Sequence, residues 1–420
     1  MDTRGESRGG LLQREVHFGP AIAAISRRRV EVILGFGVLF RVVQYLANRS
    51  LWMDEGSLAA NITRKSLADL LGFLSHTQLA PPGFLVVEWV AYRTLGDNPF
   101  ALRLFPLLCG IASLFLFLGV ARHLLRPQSV WIAVALFAVS DDLIYFSSEL
   151  KQYSTDVAAG LLCTLMGMEI LARPATRGRV VALAAVGAAT VWFSHPSVFV
   201  LAGVGTILLV SGVAERGWKG ALIPSALGLV WGASFAAVYA ISMDQLGHRR
   251  DMWGFWAFAF PPMPPTSLWD ATWVPRRFLY LFVNPLNFET PLGARLSALP
   301  AFGLFVAGCL SLAKRDKAHF GMLVLPIVFV LLASSLRLYP FHGRLVLFLV
   351  PSLLLFIAEG AGWCRETFGG GAMWAFVLGA LLLFPSLGAF YHIFEKHDRI
   401  DFSPFGDRRP AKLDPYRFPL

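Results

Sequence analysis

Charged residues and cysteines are scarce in this sequence. Only 15% of its 420 residues are charged, whereas 56% are hydrophobic. A soluble protein of this length with that balance would have too little polar surface, so the composition excludes a soluble globular chain. The four cysteines have no paired spacing, and they therefore predict neither a disulfide framework nor a zinc site. They are Cys109, Cys163, Cys309 and Cys364.

Two features of phosphate-binding and nucleic-acid-binding proteins are also missing. No glycine-rich loop follows a strand, so no nucleotide-phosphate site is indicated. The net charge is +10, from 37 Lys and Arg against 27 Asp and Glu, but no basic stripe interleaved with aromatic residues is present. Because the positive excess lies largely in short loops, it indicates membrane topology rather than nucleic-acid binding.

Long apolar segments fill most of the chain. The hydrocarbon core of a membrane is about 30 Å thick and needs roughly 17 to 25 apolar residues per helix. We therefore predict an all-α integral membrane protein with about 11 transmembrane helices. They lie at about residues 30–47, 101–125, 128–146, 154–172, 180–194, 196–213, 220–241, 296–313, 318–336, 344–362 and 372–390.

The chain divides into one transmembrane domain with a polar tail at each end. Residues 1–29 are basic and have no signal-peptide cleavage site, which predicts a cytoplasmic tail. Residues 30–390 form the predicted transmembrane domain, and residues 391–420 form a second polar tail. Two long outer loops, residues 48–100 and 242–295, interrupt the domain.

The first outer loop is predicted to contain two helices on the membrane surface. Residues 66–74 place four leucines on one helical face, behind a capping box that begins at Ser66. Residues 82–96 are apolar but short, and they carry Glu88 and Arg93. We expect them not to cross the membrane, because a span here would turn four short basic loops away from the cytoplasm.

Those basic loops set the topology. "RHLLRPQ", "RPATRGR", "ERGWK" and "KRDK" all become cytoplasmic under the scheme above, as the positive-inside rule requires. The unusual polar residues then gather on the opposite, outer face. An ionisable group at a helix end costs roughly a few kcal/mol unless it reaches water or a partner, so several on one face predict a shared cavity.

Two adjacent carboxylates, Asp54 and Glu55, stand out among these residues, in "SLWMDEGSLA" directly after the first predicted span. Trp52 precedes them and suits the depth at which interfacial aromatic residues lie. Adjacent side chains do not easily point the same way, so we expect the two acids to have different roles. The alternative is a structural acidic turn that caps the next helix.

A second outer turn, "SSELKQYS", contains Glu149, Lys151 and Tyr153. If this turn is helical, Glu149, Tyr153 and Asp156 share one face, whereas Lys151 projects elsewhere. Glu149 is then the leading second acidic residue of the cavity. Lys151 could equally form a structural ion pair or extend to the membrane surface.

Three more candidates lie at the ends of predicted spans. "SHPS" contains His195, and "YPFHGRL" contains His342 and Arg344. Arginine can bind a phosphate through two donors, but an arginine that starts a span can also simply extend to the membrane surface. His195 precedes Pro196 at a helix break, where a histidine can be a capping or packing group instead of a ligand. The long loop is rich in tryptophan, which suits stacking on sugars or lying among lipid headgroups.

Several of these segments together resemble a known family. "LWMDEGSLAANI", "APPGFLVVEWVAYRTLGDNPFALRLFPLLCG", "LIYFSSELKQYSTDVAA" and "WFSHPSVFVLAG" are similar to the GT-C superfamily of polyprenyl-phosphate-sugar glycosyltransferases. Within it the chain resembles family 39, of the protein mannosyltransferase and aminoarabinose transferase type, and related galacturonosyltransferases. The likeness covers about residues 30–210 well and "FHGRLVLFLVP" loosely, and the acidic pair is its most specific element.

The resemblance implies a reaction and roles for the candidate residues. An acceptor hydroxyl attacks the anomeric carbon of a lipid-linked sugar, and the polyprenyl phosphate departs with inversion. Asp54 matches the family's catalytic aspartate, the base for that hydroxyl, and Glu55 would orient the acceptor, tune the base or bind a metal. The other residues are implied in substrate binding, with cations near the departing phosphate. They are Glu149, Lys151, Tyr153, His195, His342 and Arg344.

The resemblance also implies partners and a location. The donor is a polyprenyl-phosphate sugar, the acceptor is a lipid, glycan or protein, and membrane lipids surround the chain. A bacterial inner membrane with the site facing the periplasm is expected, with a role in the cell envelope such as lipopolysaccharide modification. No cofactor is certain. A divalent cation could bind at the paired acids, but no set of metal ligands can be identified from spacing.

The sequence departs from the family in two places. The sequence shows no soluble domain after the last predicted span, so acceptor recognition is expected from the outer loops or from a partner protein. "SHTQLAPP" lacks a lysine that some relatives place there for the donor phosphate.

The rival function is that of a lipid-linked-sugar flippase, a transporter or a polysaccharide-assembly component. Broken helices with charges at the membrane midplane and repeated halves are typical of transporters. No clear internal repeat is found here.

Overall fold

The computed structural model describes residues 20–76, 78–173, 176–242, 249–288, 294–369 and 371–394, which are mainly helical and contain no strand. The first nine helices are α1 (Pro20–Leu46), α2 (Met53–Arg64), α3 (Leu67–Leu71), α4 (Pro82–Leu95), α5 (Pro99–Leu124), α6 (Pro127–Ala138), α7 (Asp141–Tyr145), α8 (Tyr153–Ala172) and α9 (Arg177–Phe193). The others are α10 (Ser197–Arg216), α11 (Leu222–Ile241), α12 (Arg249–Phe255), α13 (Leu268–Ala271), α14 (Trp273–Tyr280), α15 (Ala294–Arg315), α16 (Lys317–Ser335), α17 (Val350–Phe368) and α18 (Ala372–Phe394).

Several of these helices suit a membrane. In the described part of the chain, six helical segments are long and apolar enough to cross one, and a seventh results if one bent pair is a single span. The predicted all-α membrane fold is therefore confirmed. The expected number of about 11 spans stays a prediction. The number of candidate spans is smaller partly because residues Ser197–Ile241 are counted as one span. They contain two helices, α10 and α11, that pack against each other.

The bent pair consists of α6 and α7, which meet at 59°. The sequence predicted one continuous span over residues 128–146, and the structure corrects this. Asp141 and Asp142 form the first turn of α7, where carboxylates favour the free N–H groups of a helix N-terminus. The side-chain amide of Asn287 also donates to both carboxylates, at 3.3 Å each. The acids therefore favour a new helix start over continuation of α6.

The long loop is broken into short helices, since its two proline pairs exclude a continuous helix. Its described residues, 249–288, contain α12, α13, α14 and a short 3-10 turn at Ala257–Ala259. The carbonyl of Ala259 accepts from the amide of Phe341 at 2.9 Å and from the hydroxyl of Ser334 at 3.3 Å. The loop is therefore attached to the segment between α16 and α17. The predicted tails lie largely outside the described residues, and the domain boundaries stay a prediction.

One end of the helical bundle collects the polar segments of the chain. The start of α2 contacts the turn between α7 and α8 through Glu55 and Leu150. It also contacts the segment before α17 through Asp54 and Arg344. We refer to this end of the bundle as the Asp54 end.

Small residues allow a close helix pair in the bundle, α15 and α17. A Cβ atom on Gly308 of α15 would lie 1.9 Å from the carbonyl oxygen of Phe356 of α17, and one on Gly360 would lie 1.9 Å from the oxygen of Leu304. Glycine at such crossings lets two backbones come together where apolar side chains alone gain little from association in lipid. The α15–α17 pair therefore depends on these two positions.

We expect Gly308→Ala to lower the apparent melting temperature of the purified protein, because the added methyl group meets backbone. Overpacking of this kind costs about 1–3 kcal/mol. Gly303→Ala on the same helix is the control, since a Cβ atom there meets nothing within 4 Å. Equal melting temperatures for the two variants would contradict the predicted close crossing.

Candidate active site

A buried ion pair lies at the centre of the Asp54 end. Glu55 and Arg103 are both almost completely buried. Nε of Arg103 donates to one carboxylate oxygen of Glu55 at 2.9 Å, and Nη2 donates to the other at 2.8 Å. Two parallel hydrogen bonds between a guanidinium and a carboxylate are the strongest common form of this contact.

Two backbone amides complete the surroundings of Glu55. The amide of Trp52 donates to one oxygen at 3.1 Å and the amide of Leu150 donates to the other at 2.8 Å. Burial alone would raise the pKa of Glu55, but Arg103 and these hydrogen bonds hold that pKa below its ordinary value. The carboxylate is therefore ionised and fully engaged with protein groups.

This ion pair joins three distant parts of the chain. Arg103 belongs to α5 and also donates to the carbonyl of Arg49 at 2.6 Å, before the start of α2. Glu55 belongs to the first turn of α2, and Leu150 belongs to the turn between α7 and α8. The sequence indicated Glu55 but not its partner. The signal for Arg103 was an isolated charge inside an apolar segment, which is rarely present without a function or a partner.

Asp54 differs from Glu55 in both exposure and partner. Its side chain is 21% exposed and forms an ion pair with Arg344, whose side chain is 26% exposed. The guanidinium of Arg344 also lies 5.7 Å from the ring centre of Tyr153. In the described part of the chain, Nε of Arg344 is buried without a hydrogen-bond partner. The structure thus brings together Asp54, Tyr153 and Arg344, which are far apart in sequence.

Lys151 approaches the same place from the turn before α8. Its side chain is buried, and its Nζ donates to Oε1 of Gln78 at 2.5 Å. Burial lowers the pKa of the Lys151 ammonium below its ordinary value, while Asp54 and Glu149 act in the opposite direction. Gln78 lies in the segment where the sequence lacked a lysine. The ammonium of Lys151 therefore lies against that segment from a different part of the chain.

Glu149 and Tyr153 are buried in the same turn and the start of α8. The sequence allowed Glu149, Tyr153 and Asp156 to share one helical face if the turn were helical. The structure begins α8 at Tyr153 and gives Glu149 an extended backbone, so Glu149 is not on that face. Tyr153 packs its ring edge-on against Phe146 at 5.0 Å, and Asp156 lies one turn further along α8.

His342 lies among aromatic rings of the long loop. Tyr280 is nearly parallel to its ring at 5.8 Å, and Phe258 meets it edge-on at 5.0 Å. Burial lowers the pKa of His342 to about 4, and Arg277 and Arg344 add to this effect. His342 is therefore neutral near pH 7. Arg277 of the long loop therefore lies close enough to act on this histidine.

His195 is the one candidate that the described contacts do not bring to Asp54. It lies between α9 and α10, and burial lowers its pKa to about 4. Within the described residues, no hydrogen bond, ion pair or ring contact joins it to Asp54, Lys151 or Arg344. Its role stays a prediction.

No metal centre is found in the described residues, which contain no group of three or more His, Cys, Asp or Glu side chains arranged to hold an ion. Asp54 and Glu55 bind two different arginines instead. The possibility of a divalent cation at the paired acids stays open as a prediction.

Two solved proteins have similar folds. ArnT from Cupriavidus metallidurans, in the apo state and bound to undecaprenyl phosphate, gives TM-scores of 0.51 and 0.53 at 15% identity over 81% and 79% of this chain. The oligosaccharyltransferase AglB from Archaeoglobus fulgidus, in complex with an inhibitory peptide and a dolichol-phosphate, gives 0.55 at 11% identity over 87% of this chain.

These likenesses show the fold alone. The chain has an all-helical membrane fold similar to that of ArnT and AglB. It spans 60% of the length of ArnT and 56% of the length of AglB. No protein-family model and no curated protein sequence matches the chain. Membership of family 39 is not confirmed and stays a prediction.

A further buried carboxyl group, Glu88, lies on α4. Glu88 is completely buried, and neither of its oxygens has a hydrogen-bond partner among the described residues. Burial raises the pKa of Glu88 well above its ordinary value. A buried, unpaired carboxylate is costly, so the neutral acid is the favoured form.

We expect stability to fall with rising pH because of Glu88. The pKa of Glu88 is higher in the folded state. The contribution of its neutral form to the free energy of unfolding is therefore complete below the ordinary glutamate pKa, and it is lost as the pH rises toward the folded-state pKa. The loss is at most about 1.4 kcal/mol per pH unit. Thermal unfolding of Glu88→Gln between pH 5 and pH 7 should therefore show a flatter dependence than the wild type. Glu215→Gln, at an exposed position, is the control, and parallel curves for the wild type and Glu88→Gln would contradict this account.

Proposed function

We propose that this chain is a membrane glycosyltransferase, which moves a sugar from a polyprenyl-phosphate-linked donor to a hydroxyl group of an acceptor. One observation carries the proposal: a partly exposed carboxylate, Asp54, is held by Arg344, and the buried ammonium of Lys151 lies close enough to interact with both. A base and two cations in one place suit a reaction in which a hydroxyl loses a proton while a phosphate departs.

Asp54 is the proposed base. The acceptor oxygen attacks the anomeric carbon and gives its proton to the Asp54 carboxylate. The bond between the anomeric carbon and the phosphate oxygen breaks at the same time, and its electron pair stays on the phosphate. A single displacement of this kind inverts the anomeric configuration and needs no covalent carboxylate intermediate. Partial exposure of Asp54 gives the acceptor access from solvent or from the membrane surface.

Arg344 and Lys151 are the proposed partners of the phosphate. Arg344 orients the Asp54 carboxylate with Nη2, and its buried Nε can donate to a phosphate oxygen. Lys151 adds a compact positive charge, which Gln78 holds in place at 2.5 Å. Cations already in position for the charge that develops on the leaving group lower the barrier without reorganising during the reaction.

Glu55 has a different proposed role, because its oxygens already accept four hydrogen bonds from protein groups. It positions the start of α2 and the turn before α8, and it does not act as an acid or base. Glu149 and Tyr153 belong to the wall next to Arg344. His342 and its aromatic neighbours are the proposed wall on the side of the long loop, and His195 is a more distant candidate for substrate binding.

The finer assignments are also proposals. ArnT was solved bound to undecaprenyl phosphate and AglB with a dolichol-phosphate, and these ligands support a lipid phosphate as the carrier for this chain. We propose an acceptor that is a lipid, a glycan or a protein, a bacterial inner membrane, and a periplasmic Asp54 end, with a role in cell-envelope assembly. Membership of family 39 is proposed with them.

The test is transfer from radiolabelled polyprenyl-phosphate sugars, pooled from native membranes, by purified protein in lipid. Asp54→Asn should keep the fold and lose about 10²-fold or more of the transfer rate, the scale of a general base. Asp97→Asn is the matched control, because Asp97 is an exposed aspartate in the turn before α5, and it should transfer at the wild-type rate.

Equal transfer by the wild type and Asp54→Asn would remove Asp54 from the role of base. If the wild type transfers no sugar from any donor, but labelled lipid becomes accessible on the opposite leaflet, a flippase replaces the glycosyltransferase.

A further inference from the structure

The long loop presents an exposed apolar tip. Leu268 is 89% exposed and Trp269 is 69% exposed, both in the short helix α13. Large apolar side chains this exposed need an explanation when they stand next to each other. Many of the other exposed apolar side chains lie on candidate membrane spans, whereas α13 lies in the long loop.

The tip is held in this conformation by its own hydrogen bonds. Asp270 accepts from the amide and the hydroxyl of Thr266 at 2.9 and 2.8 Å and from the amide of Ser267 at 3.0 Å. The hydroxyl of Ser267 accepts from the amide of Asp270 at 3.1 Å. This reciprocal cap fixes both ends of the turn. Exposure of Leu268 and Trp269 is therefore a feature of the folded loop.

Two arginines follow directly on α14. The guanidinium of Arg276 lies 3.4 Å from the ring centre of Trp269 and donates to the carbonyl of Trp269 at 2.7 Å. Arg277 is partly buried, donates to the carbonyl of Phe258 at 2.9 Å, and lies 5.8 Å from the ring of Trp273. Aromatic rings thus hold both guanidinium groups in position.

These arginines lead to the candidate active site. Phe258, which accepts the hydrogen bond of Arg277, meets the ring of His342 edge-on at 5.0 Å. His342 is two residues before Arg344, and Arg344 forms the ion pair with Asp54. Arg276, Arg277 and Arg344 therefore form a series of positive charges from the exposed tip to the proposed base.

We propose that the tip, residues Ser267–Arg277, lies in the lipid headgroup layer and receives the phosphate of the lipid-linked donor, which then moves past Arg277 to Arg344. This inference rests on the proposed function. Tryptophan with a neighbouring arginine suits the boundary between headgroups and acyl chains, and guanidinium groups bind phosphate through paired donors. The combination fits a lipid phosphate, since it supplies an apolar contact and a positive charge at one position.

The expected consequence is kinetic. Positive charges along the path of an anionic ligand raise its association rate more than they change its affinity, and salt weakens this effect. Arg276 should therefore affect capture of the donor, whereas Arg344 affects the bound donor and the chemistry.

The first measurement locates the tip in lipid nanodiscs. A Leu268→Cys variant carries an environment-sensitive fluorophore at an exposed position, and the same fluorophore coupled to a small soluble thiol is the aqueous reference. The unsubstituted chain gives the background from its four native cysteines. The label at position 268 should have a blue-shifted emission and be quenched by lipids with a spin label near the headgroup, unlike the reference. An aqueous spectrum at position 268 would overturn the proposal.

The second measurement is the association rate of a polyprenyl phosphate with the protein in nanodiscs of neutral lipid. Arg276→Gln should reduce this rate about three- to tenfold and weaken its salt dependence, with the transfer rate at saturating donor unchanged. Arg64→Gln is the control, since Arg64 is an exposed arginine at the end of α2. Equal association rates for the wild type and Arg276→Gln would overturn this inference and leave the proposed function in place. Failure of the wild type to bind polyprenyl phosphate would overturn both.

Discussion

The Asp54 end depends on one buried ion pair. Glu55 and Arg103 neutralise each other inside the bundle, and the carboxylate also accepts from the amides of Trp52 and Leu150. Breaking such a pair by removing one partner costs about 3–5 kcal/mol, because the other charge stays buried. The pair therefore fixes α2, α5 and the turn before α8 relative to one another.

The same interaction explains why two adjacent acids have different environments. In the first turn of α2, Glu55 points into the bundle toward Arg103, and Asp54 reaches the partly exposed Arg344. One acid is thereby committed to structure and the other remains accessible to a substrate. A proposed base needs such access, whereas a residue that positions two backbone segments needs burial. The division follows from helix geometry, since consecutive residues are about 100° apart around the axis.

The sequence predicted the membrane fold and the main candidates because hydropathy and isolated charges are local signals. Asp54, Lys151, Tyr153 and Arg344 do come together at one end of the bundle. The partner of Glu55 could not be predicted, because Arg103 is 48 positions away and the choice of partner depends on tertiary packing. The bend between α6 and α7 was missed for a similar reason, since hydropathy continues across it. The contact between Lys151 and Gln78 also depends on how separate loops pack.

The most direct test replaces both members of the ion pair together. The variant Glu55→Met/Arg103→Met keeps similar volumes and leaves no buried charge, and such replacements are often neutral or stabilising. Hydrogen exchange would then be measured across the protein, with the α15–α17 pair as the internal reference. The account predicts faster exchange in residues 148–153, where the Leu150 amide loses its acceptor, with unchanged protection in α15 and α17. Unchanged protection in residues 148–153 would contradict the claim that this ion pair organises the site.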